Sequence, residues 1–348
     1  MRQIIRVLVV DDSAYIRKVV SQMLARSPFI EVAGTARDGR EALEKVAELN
    51  PDVVTLDLIM PELDGVGFLR EQMARRPIPV VVVSIASESG ELAFQALQAG
   101  AVDFVQKPTA LATERVFEIA DELVAKVKAA AGVSLSHLKT LVEAAPVAAP
   151  AAPPPRRAGL VDIVVIGVST GGPQALRLLI PQLPADFPVP VAIVLHMPVG
   201  YTELYAQKLD ELSPLRVVEA REGEEARPGV VLLAPAGRHL TLMRSGDERV
   251  TAHLDIRPLD TLHRPSVDVL FRSAVEVYDG RVLGVVLTGM GSDGKEGAAW
   301  IKARGGLVFT EAEESCVVYG MPRSVVEAGL SDRSIPLHEM ARAILEVV

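Results

Sequence analysis

Asp11 and Asp12 in "VLVVDDS", Asp57 in "TLDLIMPELDG", Ser84 after "VVVV" and Lys107 in "DFVQKP" each lie at or beyond the end of a short β-branched run. Three carboxylates gathered in one place repel and raise one another's pKa unless a cation shares the site. Hard oxygen ligands of this kind suit Mg²⁺, with water completing its octahedron. With the charge so screened, the Asp57 carboxylate can attack a phosphoryl group. The resulting aspartyl phosphate would present charge and acceptor oxygens to Lys107 and Ser84. Singly, the paired aspartates read as a helix N-cap and Lys107 as a surface cation. Their joint occurrence at four of five strand exits favours the phosphoryl chemistry.

A second constellation begins at "GVSTG", residues 167–171, which fits the G-x-S-x-G turn with a strand before it and a helical pattern after it. Ser169 in such a turn stands near free backbone N–H groups that could stabilise an oxyanion. The same letters also suit a phosphate-cradling loop of the dinucleotide-binding kind, although that fingerprint wants glycine where Ser169 stands. The next strand, "VAIVLH", ends in histidine rather than the acid that would hold a ribose. A serine nucleophile needs a base. His137 lies near the linker, His338 in a C-terminal helix and His253 in the alternating "VTAHLDI" of an exposed hairpin. His196 ends a strand and can point over the sheet rim; His239 in "APAGRHL" and His263 in "DTLHRPS" lie in loops and remain alternatives. Asp293 in "VLTGMGSDGKEG" follows another apolar strand, where it either orients the imidazole or caps the helix that follows. The order Ser, His, Asp differs from the Ser, Asp, His of α/β-hydrolases, so a different fold must carry similar chemistry.

The elements that must position these residues alternate throughout. From residue 1 to about 128, five strands and five helices follow one another, which gives a parallel sheet with helices on both faces. From Val161 the alternation resumes, with strands near 162–167, 189–196, 216–220, 229–236, 281–289 and 305–311. Helices are expected near Ala175 to Leu183, Thr202 to Glu211, Val267 to Tyr278 and Lys295 to Arg304. Both segments are therefore α/β, doubly wound, with chemistry beyond the carboxyl ends of the strands. Between them "AAPVAAPAAPPPRRAG", residues 144–159, has almost nothing to pack and reads as a semi-stiff spacer. The expected division is 1–128, a linker at 129–158, and 159–348.

The chain has 348 residues, a formal net charge of −9 and one cysteine, Cys316. No basic cluster is present to neutralise phosphates, and the strand-rich second segment lacks a basic recognition helix, so no nucleic acid partner is expected. The single cysteine excludes an internal disulfide framework and has no assigned base, which leaves it a structural role. No apolar run reaches the roughly 18 residues that span a bilayer, so direct membrane insertion is not expected. The acids in "MRQIIRVLVVDDS" interrupt what would be a signal-peptide core, so a cytoplasmic location is expected.

Over the first segment "VLVVDDS", "TLDLIMPELDG", "VVVS" and "DFVQKP" resemble the response-regulator receiver family. The resemblance implies a flavodoxin-like fold in which Asp57 takes phosphate from a histidine kinase. It further implies that Asp11, Asp12, Asp57 and the Ile59 carbonyl hold Mg²⁺, that Ser84 and Phe104 form a two-state switch with Lys107 beside them, and that Lys107-Pro108 is a cis turn. Threonine often stands where Ser84 is. Over the second segment "IGVSTGGPQAL", "LHMPVGYT", "LAPAGRHL", "HRPSVDVLF", "VLTGMGSDGKEG" and "GMPRSVVEAG" resemble the chemotaxis protein-glutamate methylesterase family. That resemblance implies a Rossmann-like domain with Ser169 as nucleophile, His196 as base and then acid, Asp293 as orienting carboxylate, and Thr170 with the Met290 backbone supporting the oxyanion. Leu195 replaces the family's usual glutamine before the histidine. The implied activity is hydrolysis of glutamate γ-methyl esters, with glutamine deamidation at the same positions, on the cytoplasmic domains of chemoreceptors. Mg²⁺ is implied for receiver phosphorylation and no cofactor for the esterase chemistry, with phosphorylation relieving inhibition by the receiver.

Overall fold

The computed structural model describes residues 4–84, 86–107, 115–133, 159–246 and 249–348. His137 and Pro108, with the expected cis turn, lie outside them. The chain divides into two compact units, Met1–Glu143 and Ala144–Val348.

In the first unit β1 (Ile5–Val10), β2 (Ile30–Ala36), β3 (Val53–Leu56), β4 (Val80–Ser84) and β5 (Asp103–Gln106) form one sheet. Its order is β2-β1-β3-β4-β5 and every pairing is parallel. Val7 to Val10, Val53, Val54, Leu56 and Val80 to Val83 are all buried, as expected of strands covered on both faces. The covering helices are α1 (Ala14–Leu24), α2 (Gly39–Leu49), α3 (Gly65–Arg75), α4 (Ala86–Gln98) and α5 (Arg115–Ala131). Local chemistry sets their starts. Ser13 caps α1 and accepts the Ile16 N–H at 3.4 Å, so neither aspartate of the pair is spent as the cap. Asp38 accepts the Glu41 N–H at 2.9 Å while Glu41 reaches back to the Arg37 N–H at 2.8 Å, a reciprocal cap for α2. Asp64 caps α3 through the Gly67 N–H. A side chain at Gly65 would run into the Asp57 carbonyl, so glycine lets α3 begin against the loop that carries the central carboxylate.

The second unit has a seven-stranded parallel sheet in the order β14-β13-β12-β6-β7-β9-β8. Its strands are β6 (Ile163–Val168), β7 (Val191–Leu195), β8 (Arg216–Glu219), β9 (Val230–Leu233), β12 (Val282–Val286), β13 (Leu307–Glu311) and β14 (Arg333–Ile335). An antiparallel hairpin, β10 (His239–Arg244) with β11 (Val250–Asp255), stands apart from it and carries His253 as the sequence anticipates. The helices are α6 (Gly172–Leu179), α7 (Thr202–Leu212), α8 (Val267–Tyr278), α9 (Lys295–Ala303), α10 (Met321–Glu327) and α11 (Leu337–Leu345). α6 starts three residues before the expected Ala175 because Pro173 occupies its first turn, where a missing N–H is harmless. Its last expected residues form a 3₁₀ turn at Ile180–Gln182 instead. Strand order reverses between β12 and β6, since successive strands leave β6 in one direction and β12 in the other. Crevices at such a reversal are where doubly wound sheets place ligands. Packing draws α8 onto this point: a Cβ on Gly167 of β6 would overlap the Val267 side chain. Among the described residues, no helix is long and apolar enough to cross a membrane.

Candidate functional site

At the C-terminal rim of the first sheet, the carboxylates of Asp11, Asp12 and Asp57 offer oxygens that all lie within 4.8 Å of one another. Asp11 and Asp57 are buried and Asp12 is exposed. Lys107 Nζ sits 2.7 Å from Asp11 Oδ2 and 2.8 Å from Asp57 Oδ2. Burial raises both carboxyls, and the Lys107 hydrogen bonds and charge offset only part of that. Burial works equally against the Lys107 ammonium, but its two carboxylate partners outweigh it and hold its pKa above the ordinary lysine value. Asp57 Oδ1 also accepts the Leu58 N–H at 2.8 Å. Two buried carboxylates against one ammonium, with a third carboxylate at the solvent edge, form a donor set suited to a hard divalent cation. Ser84 ends β4 and its carbonyl accepts the Lys107 N–H at 2.8 Å, while Phe104 is buried on neighbouring β5. The Ile59 side chain is exposed in the loop after Asp57.

In the second unit the three expected residues leave three adjacent strands at the point of reversal: Ser169 after β6, His196 after β7 and Asp293 in the loop after β12. His196 Nε2 lies 2.8 Å from Asp293 Oδ2. The Asp293 carboxylate collects three further donors: Ser266 Oγ at 2.9 Å and the backbone N–H groups of Val267 at 2.8 Å and Asp268 at 3.0 Å. Burial alone would raise its pKa, yet the His196 bond and these N–H groups hold it well below the ordinary carboxylate range. An ionised Asp293 can only accept a hydrogen bond, so the imidazole proton stays on Nε2, facing Asp293, and the lone pair is on Nδ1. That nitrogen is buried and has no hydrogen-bond partner among the described residues. The His263 ring stacks on His196 with centroids 4.1 Å apart and 23° between planes, so the loop histidine braces the imidazole.

Asp293 does not cap the helix that follows it; Gly294 occupies that position, at φ +98° with no side-chain bond. Two helices instead exchange acids. Asp293 caps the start of α8, and Asp268 of α8 accepts the Gly294 and Gly297 N–H groups at 2.9 and 2.7 Å at the start of α9. Each carboxylate lies at the positive end of the other's helix. Burial and the neighbouring Asp293 charge raise the Asp268 carboxyl.

Ser169 is partly exposed, and its N–H donates to Thr288 O at 3.0 Å. Buried Thr170 follows it, and its carbonyl accepts the Thr288 hydroxyl at 2.9 Å. A Cβ on Gly289 would stand 2.8 Å from Ser169 Cβ, so only glycine lets the β12 exit lie this close to the serine. The Met290 N–H next along carries no hydrogen bond among the described residues. His239 opens β10 rather than lying in a loop, and it is wholly buried. Its Nδ1 accepts the Ser266 N–H at 3.2 Å and its Nε2 donates to Pro258 O at 3.2 Å, which leaves it no free nitrogen for proton transfer. Cys316 is buried, and burial followed by the adjacent Glu311 pushes its thiol far above the ordinary value.

The model of the CheB methylesterase family matches residues 164–344. The chain belongs to that family. The response regulator receiver domain model matches residues 7–116 ahead of it. Among curated members, the Myxococcus xanthus protein-glutamate methylesterase/protein-glutamine glutaminase 5 is 56% identical over 97% of this chain and 96% of its own length. The Thermotoga maritima protein-glutamate methylesterase/protein-glutamine glutaminase is 42% identical over 99% of both chains. The crystal structure of the Thermotoga maritima CheB methylesterase catalytic domain is 44% identical with a TM-score of 0.53, covering 55% of this chain and 100% of that one. The catalytic-domain likeness and the parallel sheets of the two units bear out the α/β class read from the strand and helix alternation.

Ser266, Asp268 and Thr288 are the supporting residues that sequence reasoning missed. Serine or aspartate at the start of the apolar-periodic 267–278 stretch is an ordinary N-cap signal. Nothing in the sequence says that the acid satisfying that helix comes from the loop after a different strand.

Proposed function

We propose that this chain is a phosphorylation-activated protein-glutamate methylesterase that also deamidates glutamine at the same positions. The observation that carries the reading is the 2.8 Å His196–Asp293 bond at the sheet reversal, beside Ser169, in a chain of this family. In this reading residues 1–128 are the receiver, 129–158 the linker and 159–348 the catalytic domain. The substrates are γ-methyl esters on the cytoplasmic domains of chemoreceptors, a chemotaxis histidine kinase supplies phosphate, and the protein works in the cytoplasm.

His196 Nδ1 takes the Ser169 Oγ proton as the oxygen attacks the γ-carbonyl, and the imidazolium is stabilised through Nε2–H by Asp293. The Met290 N–H, with Thr170 beside it, faces the oxyanion. As the tetrahedral intermediate collapses, His196 returns its proton to the methoxide, releasing methanol, or to the departing amine, releasing ammonia. Water deprotonated by His196 then cleaves the Ser169 ester, giving glutamate and free serine. The esterase steps use no cofactor. In the receiver, Asp11, Asp12 and Asp57, with the Ile59 carbonyl, would hold Mg²⁺, which neutralises charge during transfer. Asp57 accepts the phosphoryl group, Lys107 pairs with it, and Ser84 with Phe104 relays the change that relieves inhibition. A shift from mostly closed to mostly open needs on the order of 5 kcal/mol of differential stabilisation.

The test is methanol release from methylated receptor by wild type, Ser169→Ala and Asp57→Ala, each with and without acetyl phosphate and Mg²⁺. Release that rises with phosphodonor, disappears in Ser169→Ala and loses its phosphodonor response in Asp57→Ala supports the reading. Release that survives Ser169→Ala refutes the nucleophile.

A further inference from the structure

Thr288, just past the end of β12, joins three segments of the catalytic unit. Its carbonyl accepts the Ser169 N–H at 3.0 Å, its hydroxyl donates to Thr170 O at 2.9 Å, and that hydroxyl accepts the Val318 N–H at 2.9 Å. Val318 O in turn accepts the Gly289 N–H at 3.0 Å, immediately before Met290. The nucleophile turn and the expected oxyanion segment thus both hang from one threonine. Its own N–H would ordinarily go to a neighbouring strand, but the β12–β13 pairing ends at Val286 and Thr310. A side chain continues the ladder. Glu311, the last residue of β13, accepts the Thr288 N–H on Oε2 at 2.8 Å.

Glu311 is completely buried, and no cation pairs with it among the described residues. Its other oxygen accepts the Ser315 hydroxyl at 2.9 Å. An unpaired carboxylate in such a place carries a burial penalty, and an apolar side chain would avoid it. Both of these partners, and the Cys316 thiol that also faces the carboxyl, are donors, so the side chain is there to accept. What it gains is control of Thr288.

We propose that Glu311 is a positioning residue for the nucleophile: by holding the Thr288 N–H beyond the end of the β12–β13 ladder, it sets where Ser169 and Thr170 stand against Gly289 and Met290. This rests on Ser169 being the nucleophile. The role asks for an acceptor of this length rather than for a charge. Glutamine supplies one, with its carbonyl on Thr288 and its amide facing Ser315 Oγ, whose proton can turn to Ala312 O at 3.2 Å. Leucine keeps the bulk and supplies none.

The experiment is steady-state hydrolysis of a receptor peptide carrying a glutamate γ-methyl ester by full-length wild type, Ser169→Ala, Glu311→Gln, Glu311→Leu and Glu311→Asp. The single tryptophan, Trp300, lies in α9 and reports folding of the same unit. Displacing a nucleophile by about 1 Å costs up to roughly 100-fold in rate. Glu311→Leu should therefore lose about 10- to 100-fold in kcat with KM within about twofold, and Glu311→Gln should stay within about threefold of wild type. Glu311→Asp, whose carboxylate stops one methylene short of the Thr288 N–H, should fall with Glu311→Leu, and it decides the matter if the leucine variant does not fold. Hydrolysis lost in Ser169→Ala but unchanged in folded Glu311→Leu, or in folded Glu311→Asp, overturns the positioning role alone. Hydrolysis that persists in Ser169→Ala overturns the nucleophile and this proposal with it.

Discussion

The same buried acid should leave a mark on stability that is separable from rate. Burial pushes the Glu311 carboxyl from an ordinary 4.5 up to about 7, and the bonds from Thr288, Ser315 and Cys316 offset only part of the effect. In the unfolded chain the group returns to its ordinary value. Below about pH 4 the carboxyl is protonated in both states and its contribution is nil. As pH rises from 4.5 towards 7, the unfolded chain releases its proton first, so folding must take one up and stability declines. Once both states are ionised the loss is complete, at about 3 kcal/mol. Glu311→Gln cannot ionise and should be spared. Its advantage over wild type should be under about 1 kcal/mol at pH 5 and close to 3 kcal/mol at pH 8. At pH 8 this corresponds to roughly 6 to 12 °C in midpoint for a unit of this size. Urea unfolding followed by Trp300 fluorescence reads the catalytic unit specifically, because the chain has no other tryptophan. A difference that does not change with pH, or a glutamine variant less stable than wild type at pH 8, would refute the reasoning.

Three further outcomes are expected. Asp293→Asn should lower kcat by about three to four orders of magnitude, because an amide cannot stabilise the imidazolium and turns N–H towards donors that Asp293 now accepts; pre-steady-state methanol release measures it. Gly289→Ala should reduce kcat by at least about tenfold, since its methyl group would meet the Met321 sulfur and stand 2.8 Å from Ser169 Cβ; a kcat equal to wild type would show that the serine need not stay where it is. Lys107→Met should destabilise the receiver by about 3 to 5 kcal/mol at pH 8 by stranding Asp11 and Asp57 without their ammonium. Part of that loss should return as pH falls and the two raised carboxyls protonate, or when Mg²⁺ is added, and denaturant titrations under the three conditions test it.

Much of both candidate sites is legible in the sequence because strands covered on two faces read as uninterrupted apolar runs, and a polar residue ending such a run stands out. Asp57, Lys107, Ser169 and His196 all announce themselves this way. Asp293 is harder, since a carboxylate between glycines before a helix has an ordinary explanation as a cap, and the structure shows it capping the other helix. The three-residue β14 and the seven-residue α10 escaped the strand and helix patterns because both are too short to display a period. His239 looked like a possible base because sequence does not reveal burial; with both nitrogens engaged, its place is in holding Ser266. Glu311 was invisible for a related reason. It closes the apolar "GGLVFTE" run as any solvent-facing acid might, and only the register of β13 against β12 turns it inward.

The three residues proposed as the triad leave three neighbouring strands, yet along the chain the last of them follows the first by more than a hundred positions. Nothing short of the central strands β7, β6 and β12 laid side by side can bring them together. In the proposed reading, a nascent chain still missing the 281–297 segment already carries the whole receiver sequence but lacks Asp293, and with it the acid that orients His196. On that reading, premature termination or proteolytic loss of the C-terminal third would leave a fragment that keeps Asp57 and its neighbours but has lost Asp293. The sheet order makes esterase activity a late-arriving certificate that the whole polypeptide has been made.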